Sequence, residues 1–256
     1  QAAVKQINSA KEMGAQLVVL PECFNSPYGT KYFKAYAEEI PCGETSCALS
    51  RAALETGLCI VGGSIPEKYG SDIYNTCTVW DQCGSLIATH RKMHLFDIDI
   101  PDKVTFKESD VLSAGNELTT FNFAGHKIGI GICYDLRFYE LSHIMAQQGC
   151  TVLIYPGAFN MTTGPKHWEL LGRARANDHQ LYVALVSPAR DEKASYIAYG
   201  HSMLINPWGE LVNSLDENPG ILVCEIDMKM VDEVRQNIPI RTQRRKDIYD
   251  TVTKYG

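Results

Sequence analysis

Short apolar runs alternate along the chain with longer segments in which apolar residues recur every three or four positions. The short runs are typical of buried β-strands and the longer ones of amphipathic α-helices, so the pattern predicts an α/β protein. We predict strands at about 16–20, 58–65, 73–80, 85–92, 128–132, 150–155, 181–187, 200–206, 210–214 and 221–226. We predict helices at about 1–14, 31–39, 44–57, 136–148, 166–178 and 228–237.

The strands outnumber the helices, and the connections between them are partly hairpins and partly helices. No G-x-G-x-x-G motif follows a predicted strand, which disfavours a single dinucleotide-binding sheet. Two sheets packed face to face, with helices outside, fit the pattern better. The sequence has no repeat and no linker, so we predict one domain over residues 1–256. Because the chain begins on a helix, we expect a first strand before residue 1.

The composition and net charge argue against some classes of binding partner and indicate the cellular compartment. The 256 residues carry a net charge of −6 and a pI near 5.7, which argues against nucleic acid or an anionic membrane as the main partner. No apolar run approaches the roughly 20 residues of a membrane-spanning helix. The nine cysteines are odd in number and form no C-x-x-C pair. We therefore expect a reducing compartment, either the cytosol or the mitochondrial matrix.

The most informative stretch is residues 126–140, which read HKIGIGICYDLRFYE. Three isoleucines alternate with two glycines, as in a buried strand, and Cys133 follows on the glycine face. A helix-like run comes next, so the thiol stands where a strand gives way to a helix. Such a turn exposes a nucleophile, and a helix N-terminus favours the thiolate. The alternative is a structural cysteine in the core.

Two charged residues also follow apolar strands. Glu22 comes directly after the strand at 16–20, and Lys92 lies at the end of the strand at 85–92. Taken alone, each is more simply a solvated surface residue. Together with Cys133 they supply what amide hydrolysis needs: a nucleophile, a base that transfers its proton, and a cation for the oxyanion.

The segment at 95–113 has no sustained period, and we predict a long functional loop there, of the kind that forms a lid. It holds Asp97, Asp99, Phe106 and Glu108.

Three motifs place the chain near a known family. They are PECF around Glu22, HRKMHLFD around Lys92 and GICYDLRF around Cys133. In this order and spacing they resemble the nitrilase-like carbon–nitrogen hydrolases over nearly the whole chain. The resemblance implies a four-layer α-β-β-α sandwich without a cofactor or metal, and a homodimer formed through the helix after Cys133. It also implies Glu22 as general base, Lys92 as oxyanion stabiliser and Cys133 as nucleophile, with Glu108 orienting the lysine or the substrate.

Within the family, four further segments are most like the omega-amidase branch: HLFDIDIP, FKES, YPGAFNMTTGP and SPARDEKASYIAYGHS. That branch hydrolyses the terminal amide of 2-oxoglutaramate and 2-oxosuccinamate, giving 2-oxoglutarate or oxaloacetate plus ammonia. The alternative is the branch that hydrolyses deaminated glutathione, which carries a cysteine where Phe96 stands. Nitrilases and N-carbamoyl amidohydrolases fit these segments less well.

A dicarboxylate monoamide needs a partner for its distal carboxylate, and a buried anion without one is costly. Arg137, four residues after the nucleophile, is the candidate anchor because a guanidinium binds carboxylates bidentately. The alternative role for Arg137 is to brace the turn through Asp135 or Glu140. Further residues are candidates for the pocket: Tyr28, Tyr134, Phe159 and Thr163.

Two functions from other classes remain open. A non-catalytic binding module would be expected to lack Glu22, Lys92 or Cys133, and all three are present. A thiol redox protein would need a resolving cysteine, and the nearest in sequence is Cys150, which we place in a core strand.

Overall fold

The computed structural model describes residues 1–101 and 104–254, and its strands form two large sheets and one small hairpin. Strands β1 to β13 are Leu17–Val19, Cys59–Val61, Ile65–Tyr69, Asp72–Trp80, Leu86–Arg91, Asp97–Ile100, Val104–Lys107, Thr119–Phe123, His126–Ile130, Cys150–Pro156, Tyr182–Val186, Met203–Ile205 and Leu211–Ser214. Helices α1 to α7 are Ala2–Glu12, Thr30–Tyr36, Glu44–Thr56, Tyr139–Gln147, Gly164–His179, Met228–Asn237 and Ile240–Gln243. Two 3₁₀ turns cover Glu108–Asp110 and Cys133–Arg137.

The first sheet is built around β4. Strands β2 and β3 pair with one edge of β4 and β5 with the other, all antiparallel, and β1 adds to β2 in parallel. The second sheet has the order β13-β12-β11-β10-β9-β8, and its three central strands are parallel. Parallel neighbours end at the same edge of a sheet, so the segments that follow β9, β10 and β11 meet there.

Alternating burial along the strands shows how the layers stack. In β2, Cys59 and Val61 belong to the main core together with Ile130 of the second sheet. Ile60, between them, packs on the opposite face with Ile7 of α1 and Leu49 of α3. Because successive side chains point to opposite faces, the two sheets face each other and the helices lie outside. Helix α4 covers the second sheet in the same way, and the predicted four-layer α-β-β-α sandwich is confirmed.

The predicted strand at 58–65 is in fact two strands, β2 and β3. Gly62 and Gly63 separate them, and Gly63 has a φ of +57°. A Cβ atom on Gly63 would lie 2.1 Å from the carbonyl oxygen of Pro21, so only glycine permits this contact. This close contact between the backbone at Gly63 and at Pro21 fixes the turn that leads to Glu22.

Two further predictions were wrong. The segment at 95–113 was expected to lack secondary structure, but it contains the antiparallel hairpin of β6 and β7 and the 3₁₀ turn at Glu108–Asp110. The segment at 221–226 forms no strand, although its sequence is apolar. Several of its residues are exposed or half-buried, including Val223 and Ile226, so it lacks the sheet neighbours that a strand requires.

Gly129 of β9 and Gly131 just beyond the strand do not leave an empty face beside Cys133, although their lack of side chains suggests one. Cβ atoms on these glycines would lie 2.5 Å from the sulfur of Met145 and 2.5 Å from the ring of Tyr155. The glycines therefore make room for large neighbours in the core, rather than leaving a cleared surface beside the thiol.

In the described ranges, no helix is both long and apolar enough to cross a membrane. All nine cysteines are free.

Candidate active site

Glu22 lies just beyond β1 and is held by both sheets. Its Oε1 accepts hydrogen bonds from Asn75 Nδ2 at 2.9 Å and from Lys92 Nζ at 3.2 Å. Its Oε2 accepts the backbone N–H of Ala158, which follows β10, at 2.8 Å. The carboxylate is buried, and these bonds fix its orientation.

Lys92 follows β5 directly and is buried between two carboxylates. Its Nζ lies 3.2 Å from Glu22 Oε1, and 2.9 and 2.8 Å from the two oxygens of Glu108. An ammonium group has three N–H donors. With one directed to each carboxylate, one donor remains for a further acceptor.

Glu108 opens the 3₁₀ turn after β7, and every group around its carboxylate is a donor. Oε1 accepts the hydroxyl of Tyr28 at 2.8 Å, and Oε2 accepts the backbone N–H of Phe96 at 2.7 Å. Together with the contact to Lys92, these bonds fix the orientation of the Glu108 carboxylate. The structure thus places the predicted second glutamate in contact with the predicted oxyanion lysine.

Cys133 begins the 3₁₀ turn and has a φ of +47°, an unusual conformation for a residue other than glycine. Strained backbone of this kind is typical of functional turns. A Cβ atom on Gly157 would lie 3.1 Å from the Cα of Cys133, so the segment after β10 passes directly beside the nucleophile turn. Sequence reasoning had placed Cys133 at a strand end, whereas β9 ends three residues earlier at Ile130.

Burial and charge set the protonation states of this cluster. Burial raises the pKa of Glu22, while Lys92 lowers it and Glu108 raises it. Burial and the negative charge of Glu22 raise the pKa of the Cys133 thiol well above its usual value. Burial lowers the pKa of Lys92, but the charges of Glu108 and Glu22 outweigh it and the net direction is upward. At rest the site therefore holds a thiol, a protonated lysine and a carboxylate with increased proton affinity.

Asp135 is a site residue that sequence reasoning did not single out as one. Its buried carboxylate accepts the backbone N–H of Ile132 at 2.9 Å and lies 3.2 Å from Nε2 of His90. It also accepts two bonds from His94. It therefore links the turn that carries Cys133 to the end of the first sheet. A single aspartate after a cysteine gives no spacing signal for this role.

A narrow, tightly packed cleft lies at the thiol. Its lining comprises Phe96, Cys133, Tyr134, Arg137, Ala158, Phe159, Thr163 and Tyr196. Four of the predicted substrate-binding residues, namely Tyr134, Arg137, Phe159 and Thr163, are thus brought together with the nucleophile. Tyr28 is not in the lining, because its hydroxyl is directed to Glu108.

Arg137 is half-buried and faces aromatic rings. Its guanidinium carbon lies 4.8 Å from the ring centroid of Phe159 and 5.7 Å from that of Tyr134. Across residues 1–101 and 104–254, no carboxylate lies within 4.0 Å of its nitrogens. The alternative role, bracing the turn through Asp135 or Glu140, therefore has no ion pair to support it.

Two hydroxyls at the pocket already use their protons. Thr163 Oγ1 donates to Asn160 Oδ1 at 3.0 Å, so it faces the pocket as an acceptor. Tyr196, which sequence reasoning missed, donates its hydroxyl to the carbonyl of Ala158 at 2.6 Å. A lone tyrosine in a polar loop carries no periodic signal, so only the fold reveals its position.

In the part of the chain that the structure describes, no group of three or more His, Cys, Asp and Glu side chains is arranged to hold a metal ion.

A family model described as carbon–nitrogen hydrolase matches residues 1–236. The chain is 56% identical over 252 residues to omega-amidase NIT2-A of Xenopus laevis, covering 98% of this chain and 91% of that protein. It is 54% identical over 243 residues to omega-amidase NIT2 of Homo sapiens, covering 95% and 88%.

Among solved structures, Nit3 of Saccharomyces cerevisiae, a member of branch 10 of the nitrilase superfamily, has a TM-score of 0.87 and 42% identity. The match covers 95% of this chain and 89% of that one.

Proposed function

Because the chain belongs to the carbon–nitrogen hydrolase family, we propose that it is an omega-amidase that hydrolyses the terminal amide of 2-oxoglutaramate and 2-oxosuccinamate. The products are 2-oxoglutarate or oxaloacetate and ammonia. The observation that carries this substrate class is Arg137, a half-buried cation without a carboxylate partner among the described residues, in the pocket that Cys133 lines. Such a cation is suited to bind the distal carboxylate of the substrate.

Acylation begins with a proton transfer. Glu22 takes the thiol proton of Cys133, and the sulfur attacks the amide carbon. Lys92 donates its remaining N–H to the oxyanion that forms. The backbone N–H of Tyr134 assists, because it lies at the start of the 3₁₀ turn, where N–H groups have no intrahelical partner. Glu22 then gives its proton to the leaving nitrogen, the C–N bond breaks, and ammonia leaves a thioester on Cys133.

Deacylation uses the same groups, with a water molecule as the nucleophile. Glu22 removes a proton from a water molecule, which attacks the thioester carbon. Lys92 again stabilises the oxyanion while the C–S bond breaks, and the thiolate recovers its proton from Glu22. Glu108 holds Lys92 in place and keeps it charged through both steps.

The shape of the pocket favours a short substrate. The Phe96 ring lines it and lies 5.2 Å, centroid to centroid, from the ring of Tyr134. A cysteine at this position, as in the branch that hydrolyses deaminated glutathione, would leave more room for a longer acyl group. Phe159 and Tyr134 form the apolar walls against which the guanidinium of Arg137 lies.

We further propose a homodimer formed through α4. The segment after α6 already lies against this helix, since Arg244 donates to the hydroxyl of Tyr139 at 3.0 Å and Arg241 to the carbonyl of Ala146 at 2.9 Å. The basic tail would therefore border the interface. The nine free cysteines favour a reducing compartment, and we expect the cytosol or the mitochondrial matrix. We also propose that residues 1–256 form one domain.

The direct test is ammonia release by the purified protein from 2-oxoglutaramate, glutamine, deaminated glutathione and a nitrile, measured side by side. We expect the highest kcat/KM on 2-oxoglutaramate. A higher kcat/KM on deaminated glutathione would assign the chain to the other branch. A preference for glutamine would show that the substrate need not be a 2-oxo acid.

A further inference from the structure

One contact of Arg137 is not used by the mechanism above. Its Nη1 lies 3.2 Å from Nδ1 of His167, which stands in the first turn of α5. A guanidinium has only donors, so Nδ1 of His167 must be the acceptor. The imidazole is therefore neutral, with its hydrogen on Nε2.

The choice of a neutral acceptor has an electrostatic consequence. A carboxylate at this place would neutralise the guanidinium and compete with the carboxylate of the substrate. A neutral imidazole fixes the direction of the side chain and leaves its positive charge available. Four of the five N–H donors of Arg137 remain for other acceptors.

The element that presents His167 is itself firmly held. Asn160 Oδ1 accepts the backbone N–H groups of Thr162 and Thr163 at 3.0 and 2.9 Å. The backbone N–H of His167 donates to the carbonyl of Thr163 at 2.8 Å. The acceptor for Arg137 thus stands on a fixed helix start.

We propose that His167 is a positioning residue for substrate binding, which aims Arg137 at the distal carboxylate of the substrate while leaving the guanidinium charge unpaired. The inference rests on the proposed function, since it needs an anionic substrate. Partial burial, and then the charge of Arg137, lower the pKa of His167, in agreement with a neutral ring near pH 7.

The test compares three substitutions at one position. His167→Asn places a neutral oxygen where Nδ1 stands, His167→Asp places a charged oxygen there, and His167→Leu removes the acceptor. We would measure kcat and KM on 2-oxoglutaramate and the inhibition constant of 2-oxoglutarate. Lys166→Arg, which keeps the charge of an exposed neighbour on the same turn, is the control.

We expect the Asn variant to stay within about threefold of the parent in KM and in the inhibition constant. We expect both constants to rise about tenfold in the Leu variant and further in the Asp variant, with kcat changed little. Equal constants for Asn and Asp would show that the charge of the acceptor is irrelevant and would overturn the proposal. Losses confined to kcat, with KM and the inhibition constant unchanged, would also overturn it.

If the parent protein prefers 2-oxoglutaramate and the variants do not separate as described, only the role of His167 falls. If the parent protein does not release ammonia from 2-oxoglutaramate, the proposed function and the role of His167 fall together.

Discussion

Asp135 holds His94 by two hydrogen bonds, one from the backbone N–H at 2.9 Å and one from ring Nδ1 at 2.7 Å. His94 stands two residues beyond Lys92, and Asp135 stands two residues beyond Cys133. The His94 ring also stacks on Phe138, with 3.6 Å between ring centroids. This single carboxylate therefore sets the position of the lysine segment relative to the nucleophile turn.

We predict that Asp135→Asn lowers the free energy of unfolding by about 3 kcal/mol at pH 7, because the amide cannot accept all four bonds. Hydrogen bonds from His90 and His94 outweigh the effect of burial, so the folded-state pKa of Asp135 lies well below its ordinary value. The stability from this group is thus present above the unfolded-state pKa of about 4 and is lost as the pH falls toward the folded-state pKa. Urea unfolding across this pH range should show a shallower acid dependence in the variant.

Asp232→Asn, at an exposed carboxylate on α6, is the control and should leave both the stability and its pH dependence nearly unchanged. An acid dependence in Asp135→Asn as steep as in the parent protein would contradict the assignment.

We predict that Cys133→Ala and Cys133→Ser both lose turnover by on the order of 10⁴-fold or more, with the fold retained. Neither side chain can form the thioester. Rapidly quenched parent protein should carry an acyl adduct on Cys133, detectable by mass spectrometry, and the variants should carry none. Substantial turnover by the alanine variant would end the covalent mechanism.

We predict that arginine cannot replace Lys92. The Nζ atom is buried and lies 2.8 to 3.2 Å from the nearest oxygens of two carboxylates, which leaves no space for a guanidinium. Lys92→Arg should lower kcat by about 100-fold or more. Near-normal turnover would show that a positive charge suffices in any geometry.

We predict that Glu108→Gln slows turnover and lowers the free energy of unfolding by about 2 kcal/mol. All the groups around this carboxylate are donors, so the amide nitrogen of glutamine must face one of them. Chemical denaturation and steady-state kinetics measure the two effects. Asp110→Asn, at an exposed residue of the same turn, should change neither. If Glu108→Gln leaves turnover and the free energy of unfolding as unchanged as this control does, the contact between Glu108 and Lys92 contributes to neither.

We predict that Arg137→Met raises KM for 2-oxoglutaramate at least tenfold, because the distal carboxylate loses its partner. Turnover of a short uncharged amide should fall much less, and the melting temperature should hold. Arg173→Met, at an exposed arginine of α5, is the control. Equal losses on both substrates, or a marked fall in melting temperature, would make Arg137 a structural residue.

Sequence reasoning located the elements that have a strong local signal. The apolar runs at 16–20, 150–155 and 181–187 correspond closely to β1, β10 and β11, since buried parallel strands are apolar on both faces. It failed at 221–226, where an apolar composition is not matched by sheet neighbours. It also failed at β6 and β7, since the alternation of exposed and half-buried residues in β6 extends over only four residues.

The same limit applies to the site. Glu22, Lys92 and Cys133 could be found because each follows an apolar run and each belongs to a motif. Asp135, His167 and Tyr196 could not, because their roles depend on contacts with residues 30 or more positions away. Contacts at such separations are set by how the two sheets pack, which no local pattern encodes.

The hydrogen bond from Ala158 to Glu22 joins the two halves of the chain inside the reaction centre. Residues up to 113 contain the carboxylates and the lysine, and residues from 119 onward contain the thiol and the amide that orients the base. Neither half of the polypeptide is a smaller enzyme, because each is chemically incomplete. Selection for turnover therefore acts directly on the packing between the two sheets. A mutation in this buried packing can abolish turnover although every catalytic side chain is still present.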